Sequence, residues 1–101
     1  MLYEEKGRGI LVQRGQKVEI SEGGKKSVLS QFDITPTDAS KWQTYEVIAK
    51  GNTVTHKLNG EVAMVLTDAS PKRLKSGKIG LQLHAGAPMK VEYRNIKLKR
   101  F

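Results

Sequence analysis

Two dipeptides eight residues apart, Gly51-Asn52 and Asn59-Gly60, constrain this chain more than any other feature. Each interrupts a run of alternating side chains, and each is a pair that tolerates the positive φ of a two-residue hairpin turn. Three successive antiparallel strands over residues 44–50, 53–58 and 61–67 follow, with a register set by the turns. Around the first turn Lys50 faces Thr53, Ala49 faces Val54, Val47 faces His56 and Tyr45 faces Leu58. Around the second, the same counting sets His56 against Ala63 and Val54 against Val65. One face then carries Tyr45, Val47, Ala49, Val54, His56, Leu58, Ala63 and Val65; the other carries Glu46, Ile48, Lys50, Thr55, Lys57, Val62, Met64 and Leu66. The first face is the more apolar, and it sets a histidine among small residues.

Further runs rich in Val, Ile, Leu and Thr occupy residues 10–13, 16–20, 26–32, 78–84 and 90–98, separated by Gly-, Asn-, Ser- and Pro-containing turns. Eight short strands predict an all-β fold, a two-sheet antiparallel sandwich. No segment reads as a convincing helix; residues 37–42 suit a single turn capped by Thr37 or Asp38. In the last run Val91 and Tyr93 have one parity and Ile96 and Leu98 the other, so keeping all four inward requires a bulge near Arg94-Asn95.

Length and charge narrow the function. A chain of 101 residues allows one small domain, here 1–101, and excludes a multidomain enzyme. With no cysteine there is neither disulfide nor thiol nucleophile. No apolar run approaches a membrane span, and the acidic start Met1-Leu2-Tyr3-Glu4-Glu5 is unlike a signal peptide. Residues 1–70 balance nine basic against nine acidic side chains, whereas residues 71–101 hold nine basic ones against Glu92 alone. The excess suits either a polyanion or lysines guarding strand edges. The six aromatics are not interleaved with the basic residues, which argues against nucleic acid.

Pairing of the last two strands across the 85–89 loop brings Gln82, His84, Glu92 and Arg94 onto one polar patch. Amide and guanidinium groups make directional hydrogen bonds to sugar hydroxyls, and Trp42 or Tyr45 can cover an apolar sugar face. Each residue has a plainer alternative. His56 fits a satisfied histidine in a half-buried sheet as well as a ligand-binding one, Arg94 can pair with Glu92, and Trp42 can cover the core. Phosphate-loop, GxSxG, HExxH and cysteine metal motifs are absent, and no cofactor or metal is called for by spacing.

The stretches WQTYEVIAKGNTVTHKLNG (42–60) and SGKIGLQLHAGAPMKVEYRNIKL (76–98) resemble the second half of the 3-keto-disaccharide hydrolase domain family, and LYEEKGRGIL (2–11) resembles the segment preceding these motifs. The resemblance implies a concanavalin-like jelly roll, a carbohydrate ligand, a periplasmic or secreted setting, and chemistry on 3-keto-glycosides. On that reading His84 serves as base or acid and Arg94 faces the enolate oxygen. Gln82, His56, Trp42 and Glu92 hold the sugar. Family domains are nearly twice as long, so the sheets are expected to lack neighbours and to be completed by a homodimer. The same shortfall leaves a non-catalytic carbohydrate-binding or assembly module as the alternative.

Overall fold

A computed structural model of the chain describes residues 1–81, 86 and 88–100. Among the described residues seven strands form in order: β1 (Leu2–Glu4), β2 (Gly9–Val12), β3 (Gln16–Ile20), β4 (Lys26–Gln31), β5 (Tyr45–Lys50), β6 (Thr53–Leu58) and β7 (Glu61–Asp68). The β1-β2 hairpin is one sheet; the other has five strands in the order β4-β3-β7-β6-β5. The small sheet lies on the large one, giving a small all-β sandwich. Pairing is antiparallel throughout except for β3 and β7, which run parallel.

The core is where the hairpin covers the centre of the large sheet. Leu11 and Val12 of β2 pack with Val18 and Ile20 of β3 and with Met64 and Leu66 of β7, and Leu2 closes the edge. Val12 and Val18 are fully buried, each contributing about 1.5–3 kcal/mol of transfer free energy. At the margins the cover stops: Val28 and Leu29 of β4 and Tyr45 and Val47 of β5 remain exposed.

The central turns form as their sequences dictate, with Gly51 at φ 62°, Asn59 at φ 53° and Gly60 at φ 82°. Between β5 and β6 every expected pair is present, from Tyr45 opposite Leu58 to Lys50 opposite Thr53. Between β6 and β7 the register slips. Leu58 faces Glu61 and Lys57 faces Val62, but His56 then faces Met64 and Val54 faces Leu66. Ala63 is thus an extra residue, and the expected pairs His56 with Ala63 and Val54 with Val65 do not form. The bulge turns Met64 and Leu66, rather than Val65, toward the hairpin, which places the larger apolar groups in the core. The Ala63 carbonyl is satisfied from outside the β6–β7 ladder, by the Gly15 N–H at 2.7 Å.

Two further expectations need correction. Leu2–Glu4 is a strand that the alternation did not reveal. Conversely, the described parts of 78–84 and 90–98 form no strand, and Ile79, Leu81, Val91, Tyr93, Ile96 and Leu98 are exposed. Alternation specifies which residues would share a face, but a strand also needs a hydrogen-bonded neighbour, and neither edge strand takes up these segments. Asn95 does adopt φ 55°, but no ladder surrounds it, so the expected bulge does not form. In the β4–β5 connection Asp38 caps one turn: its carboxylate accepts from the Ser40 N–H at 2.9 Å and the Ser40 hydroxyl at 2.6 Å.

Candidate functional site

The register gathers the loops of the large sheet into two groups. At one end lie the starts of β3, β5 and β7 and the finishes of β4 and β6, around Gln16, Tyr45, Glu61, Gln31 and Leu58. The opposite end carries Asp68 and the turns before β4 and β6.

At the first end the β4–β5 connection folds against the β6–β7 turn. Asn59 ties them: its N–H donates to the Thr44 carbonyl at 2.7 Å, and its side-chain oxygen accepts from the Thr44 N–H at 2.9 Å. The Asn59 amide nitrogen donates to the Gln43 side-chain oxygen, and the Gln43 amide nitrogen donates to the carbonyls of Asp38 and Lys41. The result is a groove of about 440 Å³ whose walls include Thr35, Asp38, Trp42, Asn59 and Glu61.

Trp42, half exposed, is among the residues that line the groove. The Arg94 guanidinium stacks on the Trp42 ring, its central carbon 4.0 Å from the centroid. The two were separate candidates in the sequence, and the structure brings them together. Both groove carboxyls are held below their usual range. For Asp38 the main cause is the Ser40 hydroxyl, and for Glu61 it is hydrogen bonding from Thr35, with Arg14 adding a smaller electrostatic effect. At neutral pH both are acceptors.

His56 lies elsewhere, on the inner face of β6, and is 7% exposed. Its Nδ1 shares a hydrogen bond with the Tyr45 hydroxyl at 2.5 Å, and the two rings meet edge to face with centroids 5.5 Å apart. Burial, and secondarily the positive chain N-terminus, push the imidazole below its ordinary pKa, so it is neutral at pH 7. These features match the satisfied-histidine alternative. Glu92 pairs with Lys90 at 2.9 Å rather than with Arg94. Gln82 and His84 lie outside the described residues.

Sequence reasoning missed the groove's polar walls. Asn59 was a turn residue and Asp38 a cap; only the register, by setting both loops at one end of the sheet, gives them a common place. It also missed a charged cluster at the other end, where Arg8 bridges Glu4 and Asp68 at 2.8 Å each. Among the described residues no group of three His, Asp or Glu side chains is placed to hold a metal ion, and no helix is long and apolar enough to cross a membrane.

Among known families, the one described as a 3-keto-alpha-glucoside-1,2-lyase-like domain matches residues 3–99. No curated protein and no solved structure matches the chain.

Proposed function

The chain belongs to the 3-keto-alpha-glucoside-1,2-lyase-like domain family, and we propose that it processes 3-keto-glycosides by elimination followed by hydration. A ketone at C3 acidifies the proton on C2. A base removes that proton, and the electron pair is held as an enolate on the C3 oxygen. Collapse of the enolate forms a C1–C2 double bond and breaks the C1–O bond, releasing the aglycone oxygen, which takes up a proton. Water then adds across the double bond. The protein must supply a base of moderate pKa, positive charge at the enolate oxygen and a surface that holds the ring.

We assign the ring surface to Trp42, the positive charge to Arg94 and the proton transfers to His84, with Gln82 and Glu92 binding hydroxyls. His56 acts through Tyr45, whose hydroxyl it orients. The observation that carries the reading beyond family membership is the Arg94 guanidinium stacked on a half-exposed Trp42 at the groove wall. It puts a cation directly against an aromatic residue that lines the groove.

One observation favours the binding-module alternative. Within the described groove Asp38 and Glu61 are held ionised and Gln43 and Asn59 bond to each other, so these walls offer acceptors and a platform but no proton donor of moderate pKa. Incubation with a 3-keto-glucoside separates the two. Aglycone release that is abolished by His84→Ala, with an unchanged unfolding midpoint, supports catalysis, whereas full activity in that variant rejects the assignment. Saturable binding without release establishes the module, and failure to bind removes both.

We also propose a two-fold dimer, because β4 and β5 are edge strands bearing exposed Val28, Leu29, Tyr45 and Val47. A monomer in sedimentation at micromolar concentration contradicts it.

A further inference from the structure

Asn59-Gly60, the pair that turns β6 into β7, brings a carboxamide next to an unshielded backbone nitrogen. We infer that Asn59 is a site of spontaneous covalent modification by attack of the Gly60 nitrogen, and that the hydrogen bonds closing the groove beside Trp42 hold the reaction back. The inference is independent of which ligand the groove takes.

The chemistry is intramolecular and consumes only water. The Gly60 nitrogen, on losing its proton, adds to Cγ of Asn59. A new C–N bond closes a cyclic imide, and the bond from Cγ to Nδ2 breaks, releasing ammonia. Water then opens the imide. Opening at Cγ leaves an aspartate in an unaltered backbone, whereas opening at the main-chain carbonyl leaves an isoaspartate, with the chain routed through the side-chain carbons. Either way an amide and a water become a carboxylate and an ammonium ion.

Of the three asparagines in the chain, Asn59 is the one suited to this step. Asn52 precedes Thr53 and Asn95 precedes Ile96, whose branched side chains crowd the attacking nitrogen. Gly60 has no side chain, and nothing lies within 4 Å of where a Cβ would stand. Its N–H makes no hydrogen bond among the described residues, and both Asn59 and Gly60 are exposed to water.

What restrains the reaction is the bonding of the Asn59 side chain. Its oxygen accepts from the Thr44 N–H at 2.9 Å, and its nitrogen donates to the Gln43 side-chain oxygen. These bonds fix the carboxamide plane, and the Gly60 nitrogen must approach the face of that plane, so the side chain has to leave its partners first. Modification then prevents it from returning. A carboxylate at position 59 offers no donor to the Gln43 oxygen. Gln43 cannot invert its amide without giving up the Asp38 and Lys41 carbonyls that its nitrogen serves. An isoaspartate also adds a carbon to the backbone of the two-residue turn that sets the strand register. The tie between the β4–β5 connection and the β6–β7 turn is therefore reversible only while Asn59 is intact.

The test incubates the protein at mildly alkaline pH, folded and unfolded in guanidinium chloride, and then digests it with trypsin, which puts each asparagine on a separate peptide. Mass spectrometry follows conversion of amide to acid at each site. Asn59 is expected to convert faster than Asn52 and Asn95 in the unfolded chain, and about tenfold more slowly in the folded protein, as for two hydrogen bonds that must first open. Gln43→Ala, with its unfolding midpoint checked, should recover about threefold of that protection. Asn59→Asp carries the aspartate product from the start and should unfold at lower urea concentration than wild type. Conversion no faster at Asn59 than at the other two positions overturns the site. Equal rates in folded and unfolded wild type overturn the restraint, whether or not Gln43→Ala folds. An unchanged urea midpoint in Asn59→Asp overturns the loss of the tie.

Discussion

Arg8 and Asp68 join the hairpin to the far end of the large sheet. The guanidinium of the first, in the turn between β1 and β2, lies 2.8 Å from the carboxylate of the second, the last residue of β7. Arg8 also holds Glu4 across the same turn at 2.8 Å, and Asp68 is 6% exposed. A second carboxylate oxygen of Asp68 accepts from the Ser70 N–H at 3.1 Å, which extends the contact into the buried start of the next loop. The hairpin is thereby anchored by charge at one end and by Leu11 and Val12 along its length.

Arg8→Ala leaves the buried Asp68 carboxylate without its cation and is expected to cost about 3–5 kcal/mol, the range for breaking a buried pair. The double substitution Arg8→Met with Asp68→Leu removes both charges and is expected to recover most of that loss. Urea unfolding of wild type, single and double variants measures it; a single variant as stable as wild type shows that the pair does not anchor the hairpin.

The β6–β7 bulge predicts which β7 side chains matter. Met64→Ala and Leu66→Ala, both in the core, should each lose about 2–5 kcal/mol. Val65→Ala, on the opposite face and only partly buried, should lose less than about half of that. The order inverts if the strand instead follows the simple turn count, so the three unfolding midpoints distinguish the registers.

Gly51-Asn52 fixed every β5–β6 pair, and Asn59-Gly60 fixed the first two β6–β7 pairs, because a two-residue turn leaves no freedom of register. Ala63 escaped because alternation has no means of announcing an extra residue; only the greater size of Met64 and Leu66 hints at it. The segments 78–84 and 90–98 alternate well, yet alternation does not supply the neighbouring strand. Trp42 and Arg94 were each legible as candidates, but their contact joins positions 52 residues apart and depends on loops. Arg8 and Asp68 gave no local signal at all.

Gly15 and Gly60 share φ 82° but differ in surroundings. A Cβ at Gly60 meets nothing within 4 Å, whereas one at Gly15 would lie 2.7 Å from the Phe32 carbonyl oxygen. Gly60→Ala should therefore cost about 1–2 kcal/mol, the left-handed backbone penalty alone. Gly15→Ala should cost distinctly more, since backbone must move and the Gly15 hydrogen bonds to Ala63 and Phe32 move with it. Equal unfolding midpoints would show that the close approach carries no energetic weight.

His56 gives stability a pH dependence of definite sign. Its folded pKa is lowered chiefly by burial, while the unfolded chain has the ordinary imidazole value near 6.5. Below that value the unfolded state binds the proton more readily, so the stability present above pH 6.5 is lost as pH falls through the folded pKa. His56→Gln removes this dependence. Urea midpoints at pH 7.5 and 5.5 should fall more for wild type than for the variant; parallel falls assign the effect to other groups.

Trp42 is the single tryptophan of the chain, so its fluorescence reports directly on whatever meets its ring. Arg94 occupies one ring face at 4.0 Å, and a sugar that stacks on the groove side alters the emission without passing through any other indole. Titration with a 3-keto-glucoside is expected to give a saturable change. Arg94→Ala removes the stacked cation and should weaken binding several-fold, because a cation held over an aromatic face contributes on the order of 1 kcal/mol. Arg94→Lys keeps the charge but loses the planar stack, so it should fall between wild type and alanine. Tyr45→Phe breaks the bond to His56 and should lower stability by about 1 kcal/mol and, on the assignment of His56 through Tyr45, also weaken the titration. An unchanged titration in that variant removes Tyr45 and His56 from the site. An unchanged titration in Arg94→Ala removes the guanidinium from the site.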